Sequence, residues 1–304
     1  MSNKPNGSVM ERRHTETADI DRLATQDMLA LINREDLAVA NATGACLPEI
    51  ARLVDNASAT LNRGGRVVIV GAGASGRAAL QMVADFAPDV HPQLIGLMAG
   101  GAEAKRQDQE KAAANYALGV ADLQAIRFGH QDMLVALSVS GKTPWMWGAL
   151  RHAWSVGACI ALLSHVRESE AAQMADIVIA PETGAEVIAG FNEPKARLAQ
   201  QQILNMLASG LAIRTGRVYS NLRVDLKPDN THWIERQIAL VMAATQCNRE
   251  QAKSALAACN NDCRTAILMQ LTGLNNAKAR DLLAENHQSL RIALQEAKPH
   301  LAEA

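Results

Sequence analysis

Arg66-Val-Val-Ile-Val-Gly-Ala-Gly-Ala-Ser-Gly-Arg77 and Met133-Leu-Val-Ala-Leu-Ser-Val-Ser-Gly-Lys-Thr-Pro144 share one arrangement: an apolar run, a turn of small and hydroxyl residues, then a helical pattern. A strand that ends this way presents backbone N–H groups, with hydroxyls beside them, to an anion. Two such turns point to a phosphorylated small molecule. The commoner phosphate motifs fit neither turn. Gly71, Gly73 and Gly76 spell G-x-G-x-x-G, but the next run, Leu94 to Ala99, ends in Gly100-Gly101 and not in the carboxylate that a dinucleotide ribose requires. Gly141-Lys142-Thr143 matches the end of a Walker A loop, yet Ala136 stands where its first glycine belongs.

Working outward, Leu94 to Ala99, Cys159 to Ser164 and Ile177 to Ala180 join Arg66 to Val70 and Met133 to Val139 as short runs apolar on both faces. Such runs, with helical stretches between them, predict an α/β fold with a five-stranded doubly wound parallel sheet. Ligands bind at the carboxyl ends of such strands, where both turns lie. Ile20 to Asn33 and Pro48 to Leu61 carry helical spacing, so residues 1–62 are expected to form helices that pack on a sheet domain of residues 63–226. Lys195 to Ile213 predicts a long helix closing that domain. Residues 230–304 read as a small helical bundle of three or four helices, with Asn248, Asn261 and Asn275 as N-caps. Lys227-Pro-Asp-Asn230 is the expected hinge.

A net charge of -1 and 48% hydrophobic residues describe an ordinary soluble chain without the basic footprint of a nucleic-acid or anionic-membrane binder. No apolar run approaches a bilayer span and Met1 to Arg13 has no signal-peptide core, so the expected location is cytoplasmic. Cysteines at 46, 159, 247, 259 and 263 form no C-x-x-C pair and read as free thiols in a reducing compartment. No metal or other cofactor is expected.

With the turns, the sheet and the helical tail in place, the chain resembles the sugar isomerase (SIS) fold. More narrowly, it is similar to the N-acetylmuramic acid 6-phosphate etherases and their relatives, which include the glucokinase regulatory protein. The likeness covers nearly the whole chain. It rests on Ile20-Asp-Arg22, Gly71 to Arg77, Gly96 to Gly101, Ser140-Gly-Lys-Thr-Pro144, Gly184-Ala-Glu-Val187, Leu204-Asn-Met206, Asn221-Leu-Arg-Val-Asp225 and a tail at Ala257 to Ala266.

The resemblance implies a phosphorylated amino sugar as ligand and a homodimer with shared sites. Ser75, Ser138, Ser140 and Thr143 would hold the phosphate, with Gly73 and the amides of Gly76 and Gly141 beside them. The alternative is that these hydroxyls only cap the two following helices. The implied reaction is a carbon–oxygen lyase step. A base removes the C2 proton of the open-chain sugar, an acid protonates the lactyl oxygen leaving C3, D-lactate departs, and water adds.

The family uses glutamates for this work, and the sequence departs from it. One glutamate position is Asp85. The other falls on Ala113, which cannot move a proton, and Glu110 one turn earlier either substitutes or faces solvent. Gly190-Phe-Asn-Glu-Pro-Lys195 and Thr15-Glu-Thr-Ala-Asp19 also differ from the family pattern. Glu186 is either a proton-transfer group, as in aldose–ketose isomerases, or a carboxylate at a helix start. Lys195 reaches the ligand or a partner loop, or faces solvent. His232 either lies at the surface or closes the pocket of a second subunit. Three readings stand: an etherase with a rearranged acid/base set led by Asp85, a sugar-phosphate-binding regulator without chemistry, and an isomerase using Glu186.

Overall fold

The computed structural model describes residues 12–86, 92–226 and 231–302. Five strands, β1 (Val67–Gly71), β2 (Leu94–Met98), β3 (Met133–Leu137), β4 (Cys159–Leu163) and β5 (Ile177–Ile179), form one parallel sheet in the order β2-β1-β3-β4-β5. Each begins and ends within two residues of its expected run. The reason is burial on both faces. Val68, Val70, Leu134, Ala136, Ile160 and Leu162 pack against Leu123, Trp145, Met146 and Leu150 on one side. The alternate residues Val67, Ile69, Met133 and Val135 point to the other side and are as deeply buried.

The helices of this first part are α1 (Thr25–Gly44), α2 (Leu47–Asn62), α3 (Gly73–Asp85), α4 (Arg106–Ala113), α5 (Tyr116–Ala125), α6 (Pro144–Ser155) and α7 (Pro194–Arg214). The first departs from expectation. Ile20–Arg22 is a separate 3-10 turn, because Leu23 and Ala24 are both extended, and α1 starts at Thr25 and runs past Asn33. Nothing between Arg34 and Thr43 breaks a helix, and Gly44 is the first residue that weakens it.

Glycines set the contact between α5 and α6. A Cβ on Gly148 would strike the Tyr116 carbonyl, and one on Gly119 would strike the Trp145 carbonyl. Gly148→Ala is therefore expected to lower stability by about 1–3 kcal/mol through forced separation of the helices, measured by chemical denaturation. An unchanged or raised stability, as alanine's helix propensity alone would give, would show that the two helices can slide apart at little cost.

The chain divides into two compact units, Met1–Ala208 and Ser209–Ala304, joined within α7. The second opens with a hairpin of β6 (Val218–Tyr219) and β7 (Leu222–Arg223). Five helices follow among the described residues, α8 (Thr231–Thr245), α9 (Arg249–Ala258), α10 (Cys263–Thr272), α11 (Asn276–Glu285) and α12 (Leu290–Ala302), one or two more than expected. His287 and Gln288 both take left-handed φ and divide α11 from α12 without glycine or proline to announce the break.

Asn248 and Asn275 cap α9 and α11, the former in a reciprocal capping box with Gln251. Asn261 is no cap. It and Asn260 are left-handed, and Asp262 caps α10 by accepting from the Thr265 N–H at 3.0 Å. Cys259 and Cys263 lie in this core, where burial and then Asp262 push the Cys263 thiol up to about 12. The expected hinge at 227–230 lies outside the described residues. Among the described residues no single helix is long and apolar enough to cross a membrane.

Candidate functional site

In this strand order the connections from β1 and β3 leave toward opposite neighbours, so the crevice for a ligand opens between their carboxyl ends. Gly71 and Leu137 are register partners there. The turn after β1 depends on missing side chains. A Cβ on Gly71 would lie 2.7 Å from the Gly76 nitrogen, and one on Gly76 would lie 2.6 Å from Met98 Cγ. Gly73 and Gly141 both take left-handed φ, at 54° and 69°.

The two turns line one cavity of about 160 Å³, walled by Ser75, Ser138, Ser140 and Thr143 together with Glu193 and Arg197 from the start of α7. Capping does not occupy these hydroxyls. The N-cap of α3 is Ala72, and Thr143 at the start of α6 makes no side-chain cap bond. Ser75 Oγ donates to Gln200 Oε1 at 3.0 Å. Ser138 Oγ accepts from the Gly141 N–H at 3.1 Å, and Ser140 Oγ accepts from the Lys142 N–H at 3.3 Å. The Gly76 N–H donates to the Ala72 carbonyl at 3.2 Å, so the amides of Gly76 and Gly141 are both engaged. The first amides of a helix lack intrahelical acceptors, and an anion between two helix starts meets both positive dipole ends and the Arg197 guanidinium.

The expected proton-transfer residues stand elsewhere. Asp85 is exposed at the last turn of α3 and accepts from Gln81 Nε2 at 2.8 Å. Ten residues of helix separate it from Ser75, about 15 Å along the axis. Glu110 is exposed and paired with Arg106 at 3.0 Å, and Ala113 packs on the apolar core. Glu186 is buried, and its two oxygens accept from the Lys195 and Ala196 N–H groups at 3.0 and 3.1 Å, which fixes the first turn of α7. Lys195 is buried as well. Its Nζ donates to Glu35 Oε2 at 2.9 Å and to the Ala185 carbonyl at 3.0 Å.

The chain is 46% identical over 289 residues to the N-acetylmuramic acid 6-phosphate etherase of Photorhabdus laumondii, covering 94% of this chain and 96% of that protein. The Klebsiella aerogenes protein of the same name is 44% identical over the same shares. The chain belongs to the N-acetylmuramic acid 6-phosphate etherase family. Within this etherase-family chain, residues 49–154 match the family model of the glucokinase regulatory protein N-terminal SIS domain. The fold is also that of phosphoheptose isomerase from Neisseria gonorrhoeae, with a TM-score of 0.51 at 14% identity, over 62% of this chain and 98% of that one.

Several residues of this etherase-family site escape a reading of the sequence. Glu193, the residue before α7, and Arg197 and Gln200 on that helix reach it from about 50 residues beyond the second turn, and only Pro194, a helix-start residue, marks the place. Gln200 is buried, and its Nε2 has no partner among the described residues. His165, just after β4, does not line this cavity; it approaches the Pro181 carbonyl through Nδ1 at 3.1 Å, and burial pushes its pKa down.

Proposed function

We propose that this protein binds N-acetylmuramic acid 6-phosphate and cleaves its lactyl ether, releasing D-lactate. The observation that carries the reading is the convergence of four hydroxyls and one guanidinium on a single cavity between two helix starts. Those groups suit a phosphate dianion, and the sugar has room beside it. A second cavity of about 510 Å³ between α3 and α7 shares Ala74 and Arg197 with the first. The family assignment supplies the substrate class and the reaction type. A carbonyl at C1 acidifies the C2 proton. Its removal expels the C3 oxygen as D-lactate, and water then adds across C2 and C3 to leave N-acetylglucosamine 6-phosphate.

One observation favours a second reading, a sugar-phosphate-binding regulator. Neither Asp85 nor an acid at position 113 lines the cavity. Incubation of the purified protein with N-acetylmuramic acid 6-phosphate, with D-lactate assayed enzymatically and thermal stabilisation followed in parallel, separates the two. Lactate release supports the lyase, and stabilisation without lactate supports the regulator.

Ser138→Ala tests the phosphate site itself. It removes a hydroxyl from the cavity and the acceptor for the Gly141 N–H. A hydrogen bond to a charged group is worth about 1.5–3 kcal/mol, so KM for the sugar phosphate is expected to rise about tenfold to a hundredfold. The rate at saturation should change much less, because the phosphate is remote from the bonds that break. An unchanged KM would place the phosphate elsewhere.

A further inference from the structure

We propose that Gln200 is a positioning residue for the phosphate site: its side-chain amide turns over when the ligand arrives and so releases the Ser75 hydroxyl proton to a phosphate oxygen. The inference rests on the phosphate-site reading above. The oxygens of a phosphate dianion only accept hydrogen bonds, so a serine serves them through its proton. Ser138 Oγ and Ser140 Oγ each accept from a backbone N–H, bonds that leave their protons uncommitted. Ser75 does the reverse. Its proton goes to Gln200 Oε1 at 3.0 Å, between side chains of residues 6% and 1% exposed. As the site stands, Ser75 turns lone pairs and no proton toward an anion.

The amide that holds this proton is itself only half satisfied. Gln200 Nε2 is buried without a hydrogen-bond partner among the described residues, so no bond at that atom fixes the orientation. A half-turn about the last side-chain bond exchanges Oε1 and Nε2 in nearly the same volume. Nε2 then donates to Ser75 Oγ, as the backbone amides do at Ser138 and Ser140, and the Ser75 proton is free to swing into the cavity. Oε1 takes the unpartnered place that Nε2 leaves. Without a ligand, each orientation has one hydrogen bond between the two side chains, and the count favours neither. With a phosphate present, the turned amide allows a second bond, from Ser75 to a charged oxygen, and that difference drives the turn. Gln200 lines the 510 Å³ cavity and Ser75 the 160 Å³ one, so the pair joins the walls of the two spaces.

The test is a set of double-variant cycles on the full-length protein, read as the Kd for N-acetylglucosamine 6-phosphate by calorimetry at about pH 8. Ser75→Ala alone is expected to raise Kd about tenfold to a hundredfold. Gln200→Glu puts an ionised acceptor beside the hydroxyl and keeps its proton there. On that background Ser75→Ala should therefore cost nothing further, and plain repulsion between carboxylate and phosphate cancels in the cycle. Lowering the pH to about 5 protonates the glutamate, which then donates to Ser75 Oγ, and the cost of Ser75→Ala should return. A merely structural role for Gln200 would not move this coupling. Gln200→Met, close in volume and without an oxygen acceptor, leaves the Ser75 proton free, so its Kd should stay within about threefold of wild type and Ser75→Ala should keep its full cost.

An equal cost of Ser75→Ala on the wild-type and Gln200→Glu backgrounds overturns the proposal. So does a tenfold loss in Gln200→Met that persists when Ser75 is alanine, since Gln200 would then act on the ligand or the fold directly; this arm decides the matter if Gln200→Glu does not fold. A Ser75→Ala protein that binds like wild type, or a wild type that does not bind the sugar phosphate, removes the phosphate-site reading itself and this inference with it.

Discussion

Lys195→Met lowers the stability of the first unit by about 3–5 kcal/mol, the expected cost of breaking a buried ion pair by removing one partner. The Lys195 side chain is 3% exposed and Glu35, its partner in α1, 13%. Methionine fills a similar volume but leaves the Glu35 carboxylate with His14 Nε2 at 3.1 Å and Arg34 Nε at 3.9 Å. The pair also bears on the site. It holds the first turn of α7, the element that carries Arg197, against α1, while Thr17 Oγ1 donates to the Val187 carbonyl at 2.7 Å and ties the chain before α1 to the same region.

The pH dependence has a definite sign. Burial pushes the Glu35 carboxyl up, but the Lys195 hydrogen bond and charge, helped by His14, outweigh it and leave the pKa below 4.5. A depressed carboxylate pKa contributes stability that is present above the ordinary carboxylate range and lost as pH falls through the lowered value. In Lys195→Met the burial remains and the main opposing cation is gone, so the acid-linked loss that Glu35 contributes disappears and the stability gap to the wild type narrows as pH falls. Denaturant titrations over about pH 3–8 would show this. Glu35→Gln placed on the Lys195→Met background should recover part of the loss, since no orphan charge then remains. A loss below about 1 kcal/mol, typical of an exposed pair, would show that water reaches this one.

What could be read without coordinates follows from how local each signal is. The five strands are contiguous apolar runs because helices cover both faces, so Val67–Gly71 and Met133–Leu137 announce themselves in the chain. That four hydroxyls gather at one cavity was equally legible, because a strand, a tight turn and a helix start are neighbours in sequence. Helix limits were less so. Leu23 and Ala24 are ordinary helix residues that the fold holds extended, and Asn261 and Asp262 are adjacent capping types of which geometry uses the second.

Side chains that arrive from distant segments carry no local sign of the site they join. Glu193 and Arg197 meet Ser75 and Ser138 only because α7 returns across the carboxyl end of the sheet. Asp85 illustrates the converse. Its sequence position follows the family pattern, yet the rise of α3 sets it far from the turn at which that helix begins.

Asp225→Ala is expected to cost the second unit about 3–5 kcal/mol, again because a charge is stranded where water cannot solvate it. Arg217 and Asp225 flank the β6–β7 hairpin and form an ion pair with side chains 3% and 4% exposed. Asp225 Oδ1 also accepts from Arg223 Nε at 2.8 Å. Burial lowers the Arg217 pKa, the Asp225 charge opposes that, and Arg223 and Arg264 add to the lowering. The carboxylate pairs with two guanidiniums, Arg217 and Arg223, and its loss removes the charge that opposes the repulsion of buried Arg217 by Arg223 and Arg264. The hairpin depends on it, since Val224 is buried in the second core and Leu222 and Tyr219 pack against it, with the Arg291 guanidinium 5.0 Å from the Tyr219 ring centre. Hydrogen exchange should accordingly rise first in residues 217–225, alongside a lower denaturant midpoint. Arg217→Met combined with Asp225→Leu discriminates the cause. If the stranded charge dominates, the double variant recovers most of the stability that Asp225→Ala loses; if it is as unstable as the single variant, the directional bonds of the pair set the hairpin's place.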